Sequence, residues 1–495
     1  MKNKKIIVFS TILLFCFSLA TAQETSSWDT IKQNAKDHLA HLLQIDTSVS
    51  NPDEITAARY IYKQFNKQKI DWDIFIPSKG RANLMARLKG TDPTQKPLLL
   101  ISHLDTANAQ ENWTLPPFKA TFKDGKIYGL GATDAKNYTA IYLALFTWLA
   151  QQEQKPLRDI IFLVTSGEES GSDSGLLWLG NTLWDKIAPG YALNEGGGII
   201  KDPEGTPIVF AEAATKLYMD IKITALGQEG HSALPSENNA VYALSQALAK
   251  IENWKRPAQL TAPARTLLKA ILPLQDEDGQ TTLNMILQDE NPQNRQNAAE
   301  LIAQDPFFES QLKDTINPTQ VSSQTDVNTT GSTASAILNV RLLPTTDPDT
   351  FFADLQNLFK NDKQIMFEVL ERPQFPAPVA MDGTDPLFAS IQRTAQKLVP
   401  GAITVPGLSP ASSDNEFLRK QGVITYGLGP DMNPLDTNTA HAADEFIREN
   451  DFYHQLEFVA GVVFDFAYGK DLLPLTAQTR LDNESAETSQ IKKAR

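Results

Sequence analysis

Pro-Leu-Leu-Leu-Ile-Ser-His-Leu-Asp, residues 97–105, is the stretch that decides the fold of this chain. It begins with a short apolar run, which is typical of a strand that is buried on both faces of a parallel sheet. His103 and Asp105 follow the run directly. Because ligands of α/β sheets bind beyond the carboxyl ends of the strands, the stretch predicts a parallel sheet with these two side chains at its ligand-binding edge.

Neighbouring segments repeat this arrangement. Residues 160–164 and 191–193 are further apolar runs, and residues 138–149 have the apolar spacing of a helix. Strands that alternate with helices predict an α/β fold with a mostly parallel sheet flanked by helices. Each segment carries acidic residues at the end nearest the same edge: Glu168 and Glu169 after the first run, Glu195 after the second, and Asp134 just before the helix.

These side chains predict a metal centre. Imidazole and carboxylate suit Zn²⁺, thiolates are absent from the set, and a catalytic centre needs fewer protein ligands than a closed structural one. A pair of zinc ions supplies both a water-derived nucleophile and a Lewis acid, so the set predicts a two-zinc hydrolase. The set consists of His103, Asp105, Asp134, Glu168, Glu169, Glu195 and, after a predicted strand at 423–426, His441.

Composition limits the location and the partners of the protein. Residues 1–22 form a predicted secretory signal peptide, with lysines, an apolar run at 6–19 and a small-residue cleavage site, so we expect an exported protein that is periplasmic or extracellular. Its only cysteine, Cys16, lies in this segment, which leaves no disulfide in the mature chain. A net charge of −14 and a pI near 5.0 argue against nucleic acid or anionic lipid as a partner. No second long apolar run predicts a membrane contact once the signal is removed.

The pattern changes at about residue 216. Leu217, Met219, Ile221 and Ile223 alternate with polar residues, as in a strand with one solvated face, and residues 334–342 alternate in the same way. Half-exposed strands with helices on one side predict a smaller α+β domain inserted at 216–372. The catalytic domain is then split into residues 23–215 and 373–475, and residues 476–495 form a polar tail that is predicted to be disordered.

Seven motifs occur in this order along nearly all of the mature chain: Ser-His103-Leu-Asp105-Thr, Trp113-Thr-Leu-Pro-Pro-Phe118, Tyr128-Gly-Leu-Gly-Ala-Thr-Asp134-Ala-Lys-Asn137, Gly-Glu168-Glu169-Ser-Gly, Asn194-Glu195-Gly-Gly, Gly230-His231-Ser-Ala-Leu-Pro235 and His441-Ala-Ala-Asp-Glu445-Phe-Ile. With them the chain resembles the co-catalytic dizinc metallopeptidases. This family includes carboxypeptidase G, aminoacylase and succinyl-diaminopimelate desuccinylase. The resemblance is strongest to carboxypeptidase S and to the secreted N-fatty-acyl-amino-acid hydrolases.

The resemblance implies a zinc exopeptidase-like fold whose inserted domain serves as a lid and a dimerisation domain. It also implies two zinc ions per subunit, with cobalt or manganese left open as the native metal. Asp134 would bridge both ions. His103 and Glu195 would complete one metal position, and Glu169 and His441 the other.

Three further roles follow from the resemblance. Glu168 would be the general base, which takes a proton from the attacking water and passes it to the leaving amine. Asp105 would accept the remaining ring N–H of His103 and so fix the tautomer that binds metal. His231 of the inserted domain would reach across a homodimer to polarise the scissile carbonyl.

Together these features predict hydrolysis of the amide bond next to a free amino-acid carboxylate, in a short peptide or an N-acyl amino acid. Arg341 is a candidate clamp for that carboxylate, with a surface salt bridge as the alternative. Glu416 stands where relatives often have arginine, so recognition there does not carry over. Two rivals remain at this stage: a metal-binding pseudoenzyme and a periplasmic peptide-binding protein, both without turnover.

Overall fold

The structure is a computed structural model that describes residues 28–201, 205–234, 236–323, 326–373, 381–433 and 440–469. The predicted signal peptide and the predicted tail lie outside the described residues. Within these ranges, no helix combines the length and apolar character that a membrane crossing needs.

Helices flank the sheets throughout the described ranges. A 3₁₀ turn, Leu272–Leu274, follows the seventh helix, and a π-helical turn, Phe464–Tyr468, follows the last. In chain order the helices are α1 (28–42), α2 (Glu54–Gln68), α3 (Lys136–Ala150), α4 (Leu176–Thr182), α5 (Trp184–Ile187), α6 (Ala240–Glu252), α7 (Ala262–Ile271), α8 (Glu277–Gln288), α9 (Pro292–Ile302), α10 (Pro306–Leu312), α11 (Pro348–Leu358), α12 (Pro386–Leu398), α13 (Asn415–Lys420) and α14 (Glu449–Val463).

The strands are short and their spacing follows the apolar runs of the sequence. They are β1 (Trp72–Phe75), β2 (Asn83–Leu88), β3 (Leu98–His103), β4 (Thr121–Lys123), β5 (Lys126–Tyr128), β6 (Ile160–Thr165), β7 (Tyr191–Asn194), β8 (Gly198–Lys201), β9 (Pro207–Thr215), β10 (Leu217–Leu226), β11 (Gly230–His231), β12 (Thr315–Ser323), β13 (Thr329–Thr330), β14 (Thr333–Leu342), β15 (Ile365–Glu371), β16 (Ile403–Ser409), β17 (Ile424–Gly427) and β18 (Phe446–Arg448).

The described residues divide into two compact units, and the first contains those within 28–210, 384–404 and 423–469. Its main sheet runs in the order β1-β2-β6-β3-β7-β17, and the pairs β6/β3, β3/β7 and β7/β17 are parallel. Every residue of β3 and β6 is buried, as the continuous apolar runs predict. Helices α2 and α3 pack against β2 and β3. The predicted α/β fold with a mostly parallel central sheet is confirmed.

The second unit contains residues 211–383 and 405–422. Its sheet has the order β12-β14-β10-β15 and is antiparallel throughout. In β10 every second residue is buried, and these residues form an apolar core with α6 and α11. Helices α7–α10 occupy most of the stretch between α6 and β12. The alternating pattern thus arises because one face of this sheet is covered by helices.

The observed division of the chain differs in detail from the boundaries expected at 216 and 372. The second unit starts five residues earlier than 216, at Ala211, and its first segment ends at Gly383. It also takes in residues 405–422, which the sequence places in the catalytic domain. Burial explains this: Leu408 lies in one apolar cluster with Ala214 and Leu343, and Arg419 forms a buried ion pair with Glu212 at 2.7 Å.

Candidate active site

All seven residues of the predicted centre lie in the first unit, each at the end of an element. His103 is the last residue of β3, and Glu195 follows β7 directly. Glu168 and Glu169 lie in the turn after β6, where Gly167 has a φ of +75° that favours glycine. The remaining members are Asp134, two residues before α3, Asp105, two residues after β3, and His441, in the segment before β18.

Asp134 joins two groups of potential metal ligands. Its Oδ1 lies 3.0 Å from His103 Nε2, which is also 3.2 Å from Glu195 Oε2. Its Oδ2 lies 3.4 Å from His441 Nε2, which is also 3.0 Å from Glu169 Oε2. Within each group the ligand atoms lie within 4.8 Å of one another. The two carboxylate oxygens of Asp134 therefore face different histidines, as a ligand that bridges two ions must.

The charges of the cluster shift its pKa values strongly. Burial alone would lower the pKa of His103, yet the charge of Glu195 and the hydrogen bond with Asp134 raise it well above the usual value. Hydrogen bonds with Asp134 and Glu169 raise the pKa of His441 to about 11. Burial opposes ionisation of Asp134, but both histidines hold its pKa far below the ordinary range. The carboxylates around His103 and His441 therefore favour positive charge in this cluster. Its imidazole and carboxylate donors fit borderline-soft divalent metals.

Asp105 has a different set of partners from the one expected. The Nδ1 atom of His103 lies 2.9 Å from the backbone oxygen of Asp105 but 3.7 Å from its carboxylate. The backbone N–H groups of Glu168 and Glu169 donate to the two carboxylate oxygens at 3.2 and 3.0 Å. Asp105 is fully buried. Its backbone therefore orients the histidine, while its side chain fixes the turn that carries the two glutamates.

Glu168 is placed beside the ligands by this turn. Its neighbour Glu169 accepts the backbone N–H of Ala107 at 3.1 Å and faces His441. The charge of Glu168 is among the causes that raise the pKa of His103. One turn thus carries both glutamates: Glu169 belongs to a group that could hold a metal ion, and the charge of Glu168 acts on His103.

The structure adds two acidic residues that sequence reasoning did not single out. Asp444 accepts hydrogen bonds from Thr114 and Leu115, with Thr114 Oγ1 at 2.6 Å. Glu445 is buried, and its carboxylate accepts from Gly131 and Thr133. Burial, together with the charge of Asp134, raises the pKa of Glu445 to about 7. The motif that starts at His441 contained both residues, but their partners are more than 300 positions away in sequence.

A third group of potential ligands, Asp431, Asp451 and His454, lies elsewhere in the first unit. His454 Nδ1 is 3.0 Å from Asp431, and Arg448 is 3.7 Å from Asp451. The hydrogen bond between His454 and Asp431 and the ion pair of Arg448 with Asp451 account for the proximity of these side chains without a metal.

The two remaining predicted site residues lie in the second unit. His231, in β11, is exposed, and its Nδ1 accepts the backbone N–H of Ala233 at 3.1 Å. Arg341, in β14, donates to Asn339 and Ser412 and stacks 4.6 Å from the ring centre of Tyr218. The charge of Arg341 also acts on Glu371 and Glu416, where it opposes the rise in pKa that burial causes. The carboxylate clamp and the surface salt bridge therefore both stay predictions.

Comparison with known proteins extends these observations. Residues 99–465 match the model of peptidase family M20/M25/M40. The chain belongs to this family. Its curated relatives include a probable succinyl-diaminopimelate desuccinylase of Staphylococcus aureus (strain N315), 29% identical over 426 residues, which cover 84% of this chain and 93% of that protein. N-fatty-acyl-amino acid synthase/hydrolase PM20D1 of Mus musculus is 23% identical over 455 residues, 88% of each chain.

Solved structures of the family share the fold. An M20 family metallo-carboxypeptidase from Sulfolobus solfataricus superposes with a TM-score of 0.64 at 18% identity, over 88% of this chain and 98% of that chain. A dinuclear metal binding peptidase of the family from Bacillus subtilis has a TM-score of 0.52 at 14% identity, over 89% and 98% of the two chains. Family membership makes this protein a metal-dependent hydrolase.

Proposed function

We propose that this protein is an exported two-zinc hydrolase that cleaves the amide bond next to a free amino-acid carboxylate, in short peptides or N-acyl amino acids. The observation that carries the proposal is the position of Asp134, whose two oxygens face His103 and His441 at 3.0 and 3.4 Å. The named relatives act on bonds of this class, since their names are those of a desuccinylase and an acyl-amino acid hydrolase. The predicted signal peptide is the basis for export.

The proposed ligands divide into two positions around Asp134. His103 and Glu195 complete one, and Glu169 and His441 complete the other. Zinc bound there would acidify a water molecule and polarise the scissile carbonyl. The choice of zinc rests on the mixed nitrogen and oxygen donors, which cobalt and manganese also accept.

Glu168 is the proposed general base. The turn after β6 fixes its backbone through Asp105, and its charge acts on His103, which supports a position of its carboxylate near the proposed ligands. It would first act as a base, taking the proton of the attacking water, and then as an acid, delivering that proton to the leaving amine.

Two residues of the second unit are proposed to act on the substrate. Because His231 Nδ1 accepts a backbone N–H, its neutral tautomer carries the proton on Nε2, which can donate to a carbonyl oxygen. Arg341 is the proposed clamp for the substrate carboxylate, because stacking on Tyr218 and hydrogen bonds to Asn339 and Ser412 orient its guanidinium.

A homodimer is proposed as the functional assembly. β12 lies at an edge of its sheet, and its apolar residue Val321 is 66% exposed. Leu234 (69%) and Tyr242 (71%) are also exposed on the same unit. An exposed apolar side chain on an edge strand suits pairing with a second copy. Mass measurement in solution tests the assembly.

The function is tested with purified protein, zinc and a panel of dipeptides and N-acyl amino acids, with products identified by mass spectrometry. We expect cleavage that a chelator abolishes and that zinc restores. Glu168→Gln should lower turnover by about 10²–10⁴-fold while the metal content stays the same. Cleavage that persists in this variant would exclude Glu168 as the base, and a wild-type protein that binds metal but yields no product would refute the proposed function.

A further inference from the structure

Glu445 joins two distant segments of the first unit. Its side chain is 1% exposed. Three donors reach its carboxylate: Gly131 N at 3.1 Å, Thr133 N at 2.8 Å and Thr133 Oγ1 at 2.8 Å. Its backbone oxygen also accepts the N–H of Gly129 at 3.0 Å. One residue therefore binds four donors within a five-residue stretch.

The two joined segments each carry one member of the metal centre. Residues 129–133 lead directly into Asp134, and Glu445 follows His441 by four positions. Antiparallel pairing of β18 with β5 extends the same contact, with Phe446 opposite Tyr128. The separation between Asp134 and His441 thus depends on a contact in which the Glu445 side chain is the central polar element.

The contact touches one metal position more than the other. Each joined segment supplies one member, Asp134 or His441, of the group that Glu169 completes. His103 and Glu195 are held instead at the ends of β3 and β7, which pair with each other in the main sheet. Loss of the contact should consequently move His441 relative to Asp134 and leave the His103 and Glu195 positions in place.

Burying a carboxylate costs free energy of desolvation, which only good hydrogen bonds to the carboxylate offset. Removing a charged group from water costs several kcal/mol, and its hydrogen bonds recover that cost only when the geometry is good. Here the nearby charge of Asp134 opposes a second anion. An apolar residue would fill the same space without this repulsion, but it would leave the N–H groups of Gly131 and Thr133 unpaired.

We propose that Glu445 is a positioning residue that sets the separation of Asp134 and His441, and through it the affinity of the metal position formed by Asp134, Glu169 and His441. The proposal rests on the two-metal centre proposed above. It assigns to Glu445 no contact with substrate and no proton transfer.

Glu445→Gln tests the proposal, because it keeps the size of the side chain. Its amide offers one acceptor oxygen and turns an NH₂ group toward a backbone donor. Equilibrium dialysis against zinc, with metal analysis, gives the stepwise dissociation constants of the two zinc ions. We expect the second zinc to bind about 10–100-fold more weakly than in the wild type, as for other residues that orient ligands, and the first to bind as before.

Two further variants keep the outcome decisive. Thr133→Val removes one of the three donors and should weaken the second zinc by a smaller factor, so it replaces Glu445→Gln if that variant does not fold. Glu449→Gln is the matched control, since Glu449 bonds Lys36 and Tyr453 in the same part of the chain and should leave both constants unchanged.

The possible results separate the two proposals. Equal weakening of both positions, or unchanged binding of the second zinc, would overturn the positioning role while the two-metal centre stands. A wild-type protein that binds fewer than two zinc ions would instead overturn the centre itself.

Discussion

Asp105 shows how one buried side chain can serve two glutamates. Each carboxylate oxygen accepts one backbone N–H from the turn that holds Glu168 and Glu169. In Asp105→Asn one oxygen becomes an NH₂ group that faces an N–H donor, so the turn must shift. We expect kcat/KM or metal affinity to fall about 10–100-fold. Steady-state kinetics and zinc titration measure this, with Asp173→Asn, at an exposed position of the same loop, as the control.

Glu416 predicts a pH dependence of stability. Burial raises its pKa to about 7 from 4.5, although the charge of Arg419 opposes the shift. The folded chain therefore binds this proton more tightly than the unfolded chain, so the contribution of Glu416 to stability is fully present below pH 4.5 and is lost as the pH rises through about 7. Glu416→Gln lacks the charge and should be more stable than the wild type at pH 8, by about 1–3 kcal/mol, with little difference at pH 4.5.

Urea unfolding at the two pH values checks this expectation. Glu368→Gln, on the exposed face of β15, is the control and should change stability little at either pH. An equal effect of Glu416→Gln at both pH values would mean that desolvation of its charge is not the cause.

At the scale of elements, the turn after β6 depends on Gly167. A Cβ atom there would lie 2.1 Å from Ser172 Oγ and 2.5 Å from Ser174 Oγ, and φ is +75°. Gly125 has a similar φ of +70° with nothing within 4 Å. Both alanine variants should lose about 1–2 kcal/mol of stability from the backbone conformation.

Only Gly167→Ala should also displace Glu168 and Glu169, because its new methyl group must push the loop aside. We expect its activity to fall at least about tenfold while Gly125→Ala keeps wild-type kinetics, since a shift of about 1 Å in a catalytic group costs up to a hundredfold. Thermal unfolding and kcat/KM of the pair separate strain from displacement. Equal activities would show that the turn tolerates the shift.

The elements of the first unit were readable from local pattern. The runs at 97–101 and 160–164 became β3 and β6, and the helix expected at 138–149 is α3, because periodicity and burial agree there. The turn Lys123-Asp-Gly-Lys126 also follows its chemistry, with φ of +52° and +70° at its two central residues. The candidate ligands His103 and Glu195 lie at the ends of β3 and β7, where the apolar runs place them.

At the scale of the whole molecule, pattern was not sufficient. Glu445 belongs to the motif that starts at His441, but its role is not visible in the sequence, because only tertiary structure brings its donors Gly131 and Thr133 to it. Residues 405–422 belong to the second unit because Arg419 and Asn415 bind Glu212 about 200 positions away. Neither contact produces a periodic pattern in the sequence, so the boundaries of the two units cannot be predicted from local pattern.

The metal centre should stabilise the first unit, because its ligands come from segments of that unit spread between His103 and His441. Zinc at about a hundredfold excess over its dissociation constant adds about 2.7 kcal/mol per position. We expect a chelator to lower the melting temperature and zinc to restore it. Hydrogen exchange should slow at the ligand segments of the first unit and stay unchanged in β10 and β14.

Zinc binding should also release protons. The pKa of His441 is raised to about 11, so its proton stabilises the folded chain below pH 6.5, and this contribution is lost as the pH rises through about 11. Zinc binds only the neutral ring, so at pH 7 it must displace this proton and that of His103. Calorimetric titration in buffers of different ionisation enthalpy should therefore show about two protons released for two zinc ions, and affinity that rises with pH. Release of no protons would mean that neither histidine binds the metal.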